Sequence, residues 1–291
     1  MRDESANGIP QLRAHNPQPG MPLKIMTFNL RYANTEDGPR GWIYRKDHVI
    51  DIINRYHPAI MGTQEGLADQ LDDIDKNLIH PYKRFGIERE PNGEHEEIFY
   101  DTSVVELIKG GNFWLSETPD TFGTLGWDAD CVRLVTWCHF QLIETKQLFY
   151  VFNTQFDHVG AISRQKAARL LWDRIKTIAG TDAIVFTLGD FNTYRHDPTY
   201  KFFTQDEAGP MFQDAWTNAT SKVGDVSCTY HAWEGPAYHL ENGVVGANHI
   251  DWLFSRPNLK VLETKVITEE RNGFHPSDHY PMQTEILLPP R

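Results

Sequence analysis

Six apolar runs in this chain each end on, or contain, an acid or an amide at a place where a buried strand would stop. They deliver Asn29, Glu65, Gln155 with Asp157 and His158, Asp190 with Asn192, Asp251, and Asp278 with His279. The clearest is Ala183-Ile184-Val185-Phe186-Thr187-Leu188, which runs into Gly189-Asp190-Phe191-Asn192. A carboxylate inside or at the end of a buried strand is costly unless it is paired, hydrogen-bonded or metal-bound. Each residue alone reads as a turn former or cap. Six together require a fold that gathers strand ends, and α/β sheets bind ligands at such ends. Residues i and i+2 of a strand share a face, so Asp190 and Asn192 are expected to aim at one small object.

The intervening chain supplies the rest of an α/β architecture. Residues 1–22 are rich in Pro, Gly, Asn and Gln without periodicity and read as a flexible N-terminal arm. Strands are expected over 23–30 and 59–64, with helices over 45–56 and 67–78 between and after them. Short alternating segments over 82–87, 97–100 and 105–113 favour antiparallel pairing, as does a hairpin of 134–142 with 148–155. A long amphipathic helix over 161–179 turns Ala168, Leu171, Trp172 and Ile175 inward. Residues 205–248 are loop-rich, with His231, Trp233 and His239 among them, and strands over 250–255, 259–267 and 282–288 close the chain. No linker divides 23–291, which reads as one domain of mixed sheets packed together with helices outside.

Composition narrows the function. Net charge is −12, which repels polyanions at long range and disfavours non-specific nucleic-acid binding. No apolar stretch reaches the ~18 residues of a membrane-spanning helix. Met1-Arg2-Asp3-Glu4-Ser5 shows no signal-peptide pattern, which favours a cytoplasmic location. Cys131, Cys138 and Cys228 have neither zinc-site nor CxxC spacing and read as buried thiols.

The residue types match metal-assisted phosphoester hydrolysis. Glu65 is a hard oxygen ligand suited to Mg²⁺ or Mn²⁺. Asp190 can orient or deprotonate a water, Asn192 can donate to a nonbridging oxygen, and His279 beside Asp278 offers an imidazole for charge stabilisation.

The ordered segments Phe28-Asn29-Leu30-Arg31, Gly62-Thr63-Gln64-Glu65, Asn153-Thr154-Gln155-Phe156-Asp157-His158, Gly189-Asp190-Phe191-Asn192, Ile250-Asp251-Trp252 and Ser277-Asp278-His279 resemble the endonuclease/exonuclease/phosphatase superfamily over about residues 23–288. The resemblance implies a four-layered α/β sandwich, two packed mixed β-sheets flanked by helices, and Mg²⁺-dependent cleavage of a phosphoester. It implies Glu65 as principal metal ligand with Asn29 beside it and Asp278 in support. Asp190 would activate water, Asn192 hold that water or the phosphate, Asp251 orient a histidine, and His279 contact the scissile phosphate. Phe113-Trp114-Leu115-Ser116-Glu117-Thr118-Pro119 and Gly126-Trp127-Asp128 are similar to a branch of less characterised metal-dependent hydrolases.

Two positions depart from the family pattern. Gln155 stands where a histidine is usual, and it serves as a neutral donor, yields its role to His158, or marks an impaired site. Strand alternation puts His158 on the face opposite Gln155 unless the chain turns at Phe156. Arg31 stands where abasic-site nucleases carry an acid and can pair with a substrate phosphate or carboxylate. Arg164, at the start of the long helix, can face the site. Three functions compete: a metal-dependent phosphodiesterase or phosphatase on a small soluble substrate; a nuclease whose groove uses Arg40, Arg45 and Lys46; and a catalytically impaired binding protein.

Overall fold

The computed structural model describes residues 20–205, 211–238 and 244–289. The strands are β1 (Met21–Asn29), β2 (Ile60–Gln64), β3 (Tyr82–Phe85), β4 (Ile98–Asp101), β5 (Val105–Trp114), β6 (Leu134–Leu142), β7 (Leu148–Gln155), β8 (Val185–Asp190), β9 (Gln213–Asp214), β10 (Ser221–Val223), β11 (Asp251–Arg256), β12 (Lys260–Val266) and β13 (Met282–Leu288). The helices are α1 (Trp42–Tyr56), α2 (Ala68–Asn77), α3 (Ala161–Ala179), α4 (Pro198–Thr204) and α5 (Ala215–Asn218). One sheet has seven strands in the order β10-β12-β13-β1-β2-β4-β3, and the other six in the order β5-β6-β7-β8-β11-β9. Both are mixed: β1 runs parallel to β2 and β7 parallel to β8, while most neighbours are antiparallel.

Period-2 alternation builds the layers. In β1, Leu23 and Ile25 face the other sheet, whereas Met26 and Phe28 face α1 and α2. In β8, Phe186 and Leu188 face inward, and Val185 packs outward with Ala168, Leu171 and Ile175 of α3. The result is helix, sheet, sheet, helix, the four-layered sandwich expected. Trp172 sits at the edge of the α3 contact and stays half-buried rather than fully inward. Burying side chains the size of Phe186 or Leu188 contributes about 1.5–3 kcal/mol each.

The same alternation places the polar ends. Asn29 has the parity of Ile25, Gln155 of Phe149 and Val151, Asp190 of Phe186 and Leu188, and Asp251 of Leu253. All four therefore point between the sheets at one end of the core. Register aligns three of them in one row, with Gln155 opposite Asp190 and Asp190 opposite Asp251. A buried amide layer lies beneath: Gln64 Nε2 donates to Asn153 Oδ1 (2.7 Å), and Asn153 Nδ2 donates to Thr63 O (2.9 Å) and Glu97 O (3.0 Å). Gly62 permits this close approach, because a Cβ there would lie 2.2 Å from Leu188 Cδ1 and 2.5 Å from Asn153 Oδ1.

Several sequence boundaries change. Met21 and Pro22, assigned to the arm, already pair in β1 with Leu288 and Leu287, and the rest of the expected arm up to residue 19 lies outside the described residues. Helix α1 begins at Trp42, because Gly41 opens it in extended conformation and the apolar face extends one turn further back. Residues 205–248 hold short α5, β9 and β10 besides loops, and His239 lies outside the described residues. Cys131 is half-buried rather than buried. Among the described residues no helix is long and apolar enough to cross a membrane.

Candidate active site

Two carboxylates and two amides form the centre. Asn29 Nδ2 donates to Glu65 Oε1 (2.9 Å) and Asp190 Oδ2 (3.1 Å). Gln155 Nε2 donates to the same two oxygens, at 2.7 Å and 3.3 Å. Asp190 Oδ1 accepts from Asn192 N–H at 2.9 Å, and its Oδ2 lies 4.0 Å from His279 Nε2. His279 Nδ1 in turn lies 2.9 Å from Asp251 Oδ2. Glu65 stands on a left-handed residue (φ 62) just past β2, so the turn swings its carboxylate back over the end of β1.

Burial and charge set the protonation states. For Asp190, burial is the largest influence and, helped by Asp251, pushes the carboxyl up to about 6 against the pull of His279. Burial disfavours the His279 cation, but the Asp251 carboxylate and its hydrogen bond, with Asp190 and Asp278, raise it to about 10. Burial pushes Glu65 up too, yet His279 and the hydrogen bonds from Asn29 and Gln155 hold it below the usual carboxylate range. Asp278 is raised by burial and by Glu65. At neutral pH an imidazolium thus lies between two carboxylates, with Asp190 ionised beside it.

The donor set fits a hard divalent cation. Asp190, Asp251 and His279 place three ligand atoms within 4.8 Å of one another, but there the His279 cation already sits between the two carboxylates. Two further carboxyls, Glu65 and Asp278, lie close enough to act on one another. Among the described residues, Glu65 Oε2 has only Tyr32 N–H at 3.4 Å, and Asp278 Oδ2 only Arg31 Nε at 3.9 Å. Hard carboxylate oxygens of this kind suit Mg²⁺ or Mn²⁺. Asn29 turns its amide nitrogen to Glu65, and its oxygen accepts from Arg31 N–H at 3.0 Å. In this orientation Asn29 is a donor to the acids rather than an oxygen ligand.

The remaining expected residues take different places. Asn192 does not follow the strand rule, because β8 stops at Asp190 and Asn192 is left-handed (φ 47). Its side-chain Nδ2 donates to Phe156 O (2.9 Å), and its backbone N–H, not strand alternation, ties it to Asp190. Arg31 forks onto Asp37 (Nε 3.2 Å, Nη2 3.0 Å) beside Asp278. Arg164 Nη1 donates to Asp157 O (2.9 Å), bracing the loop that enters α3. His158 does not occupy the opposite face, because β7 ends at Gln155; the chain turns and brings His158 Nδ1 to 3.3 Å from Arg133 Nη2. Arg45 offers no basic groove: it is buried, and its guanidinium donates to the carbonyls of Leu30, Arg31, Arg40 and Pro276. Lys46 pairs with Asp73 at 3.3 Å.

Sequence reasoning missed Arg133. It is buried, and its Nη1 donates to Gln155 Oε1, which fixes the amide so that its nitrogen faces Glu65 and Asp190. The available signal was a lone cation immediately before the nine-residue strand Leu134–Leu142. Thr229 was missed too. Its Oγ1 accepts from Ile250 N–H (3.0 Å) and Asp251 N–H (3.1 Å), and its carbonyl accepts from Tyr280 N–H (2.9 Å), tying together the segments that carry Asp251 and His279. Asp128 caps α3 from a distance, with Oδ1 accepting from Ser163 N–H at 2.6 Å.

Known proteins share this arrangement of chain. An endonuclease/exonuclease/phosphatase from Bacteroides vulgatus is 33% identical with a TM-score of 0.83, over 92% of this chain and 99% of that one. A mannosyl-6-phosphatase from Bacteroides thetaiotaomicron is 29% identical with a TM-score of 0.81, over 91% of this chain and 100% of that one. An uncharacterized protein of Acanthamoeba polyphaga mimivirus is 21% identical over 309 residues, covering 91% of this chain, which spans only 44% of that protein's length. The model of the endonuclease/exonuclease/phosphatase family matches residues 26–279, and the chain belongs to that family.

Proposed function

We propose that the chain is a divalent-metal-dependent hydrolase of soluble phosphoesters, acting as a phosphatase or small-substrate phosphodiesterase. The observation that carries this reading is the convergence on Asp190 Oδ2 of Asn29 Nδ2 (3.1 Å), Gln155 Nε2 (3.3 Å) and His279 Nε2 (4.0 Å). A buried base thus stands among groups that donate to an anionic oxygen.

Glu65 and Asp278 would hold Mg²⁺ or Mn²⁺, which supplies Lewis-acid polarisation of the phosphate when bound. Asp190 takes the proton of a water whose oxygen attacks phosphorus in line with the ester oxygen. The bond from phosphorus to the leaving oxygen breaks, and that oxygen is reprotonated from solvent. His279, held as an imidazolium by Asp251, donates to the oxygens on which charge builds. Gln155 and Asn29 exchange their carboxylate contacts for the phosphate and orient it. Preorganised donors of this kind are worth about 10²–10³ in rate each.

The Arg133 contact favours a working glutamine over a lesion, because it presents Gln155 to the site as a donor. The net charge of −12 and the internal use of Arg45 favour a small substrate over bulk nucleic acid. Likeness to the mannosyl-6-phosphatase supports a phosphatase reading. The test is hydrolysis of mono- and diester panels with Mg²⁺ by wild type and Asp190→Ala; equal rates for the two proteins would rule the mechanism out.

A further inference from the structure

Next to Glu65 lies a short hairpin that the proposed reaction does not use. Glu88 bridges His95, and Arg89 N–H donates to Glu94 O at 2.8 Å. His95 also bridges Gly66, the residue after Glu65, with its N–H donating to Gly66 O at 2.8 Å. Trp114 Nε1 donates to Arg89 O (2.7 Å) and anchors the hairpin from β5. His95 and Glu97 share one face, since His95 Nδ1 lies 3.0 Å from Glu97 Oε1. Glu94 and Glu96 lie together beside Arg89, Glu94 in an ion pair with its guanidinium. There they interact with Arg89, Arg133 and Glu65.

That corner is polar and incompletely satisfied. Glu96 is fully buried, yet neither of its carboxyl oxygens has a hydrogen-bond partner. Arg89 Nε and Arg133 Nε are buried and also lack one. Arg133 Nε comes no closer to Asp157 Oδ2 than 3.8 Å. Arg89 forks onto Glu94, its Nη2 donating at 3.0 Å and its Nη1 2.8 Å from the other oxygen. Burial pushes Glu96 up to about 8, so at neutral pH it both donates and accepts. Buried polar groups left unpaired are destabilising, and native structures keep few of them without a reason.

We propose that Arg89, Glu94, Glu96 and Arg133 form a subsite for the hydroxyl groups of the leaving group, so that the phosphoester cleaved is that of a sugar or another polyol. This rests on the phosphoesterase reading above. Interleaved cationic donors and carboxyl acceptors match hydroxyls, each of which donates one bond and accepts two. A base would instead need an aromatic stacking surface, and these four side chains offer none.

The test compares D-mannose 6-phosphate with phenyl phosphate, which lacks hydroxyls, in wild type and Glu96→Leu. Glu96→Leu should raise KM for mannose 6-phosphate about tenfold or more and leave KM and kcat for phenyl phosphate within about twofold. Its Tm should match or exceed that of wild type, because the variant removes a buried carboxyl that has no partner. Glu96→Met, which keeps the volume and removes the polar atoms, replaces it if the leucine variant does not fold. Equal losses on both substrates would make Glu96 part of the catalytic framework and overturn the subsite, as would no change on either. Wild-type turnover of phenyl phosphate without mannose 6-phosphate would overturn the subsite but leave the phosphoesterase reading standing. Turnover of neither, nor of any other phosphoester, would remove both.

Discussion

Asp190 Oδ2 lies 4.0 Å from His279 Nε2, close enough for each charge to sustain the other and too far for a direct proton-sharing hydrogen bond. The base and the cation are thus distinct groups with separate protonation limits. The rate kcat/KM should rise through about pH 6, as Asp190 gives up its proton, and fall through about pH 10, as His279 does. Asp251→Asn removes the carboxylate that raises His279, so the alkaline limb should move down by about 1–3 units while the acid limb persists. A pH–rate profile of the two proteins checks this; an unmoved alkaline limb would assign it to another group.

Both groups are raised in the folded state, so both make stability fall as pH rises. His279 is raised above its ordinary value of 6.5, so its contribution is complete below pH 6.5 and lost as pH rises through about 10. Asp190 is raised from 3.8, so the folded state loses stability as pH rises from about 4 through 6 and loses none further above that. Urea midpoints should therefore fall between pH 4 and 6 and again between pH 7 and 10. His279→Gln should abolish the second fall.

Gln155 is expected to be a working donor whose orientation depends on Arg133. Gln155→Ala should lower kcat by about 10²–10³. Gln155→His should also lower it, because Arg133 beside the new ring disfavours its protonation. Arg133→Met should lower kcat in wild type and have a smaller effect when combined with Gln155→Ala, a coupling that a double-mutant cycle measures. A rise in kcat for Gln155→His would identify the glutamine as a lesion.

The proposed cation site on Glu65 and Asp278 predicts a stability effect as well. Mg²⁺ at about 100 times its Kd should add about 2.7 kcal/mol and raise Tm by about 5 °C. Glu65→Gln should remove most of that shift without needing an activity readout. An unchanged shift would move the ion to other residues.

Much of this fold is written in period-2 alternation. The sequence runs ending at Asn29, Gln155 and Asp190 carry the polar residue on the parity of the inward apolar ones, so their convergence follows from strand geometry alone. Long-range packing decided the rest. Arg133 becomes a site residue only when β6 and β7 pair and carry it behind Gln155. Arg45 reads as a basic-groove residue until four backbone carbonyls surround it. Strand alternation does not reach Asn192, which lies past the last paired residue of β8, and the turn after Gln155 takes His158 off the β7 pattern.

The central claim is that Asp190 is the base for the attacking water, and Asp190→Asn tests it most directly, because it preserves shape and hydrogen-bonding capacity but cannot take the proton. With Mg²⁺ and the best phosphoester substrate, kcat should fall by about 10²–10⁴ with KM changed little. An Asp190→Asn enzyme with wild-type kcat would contradict the account.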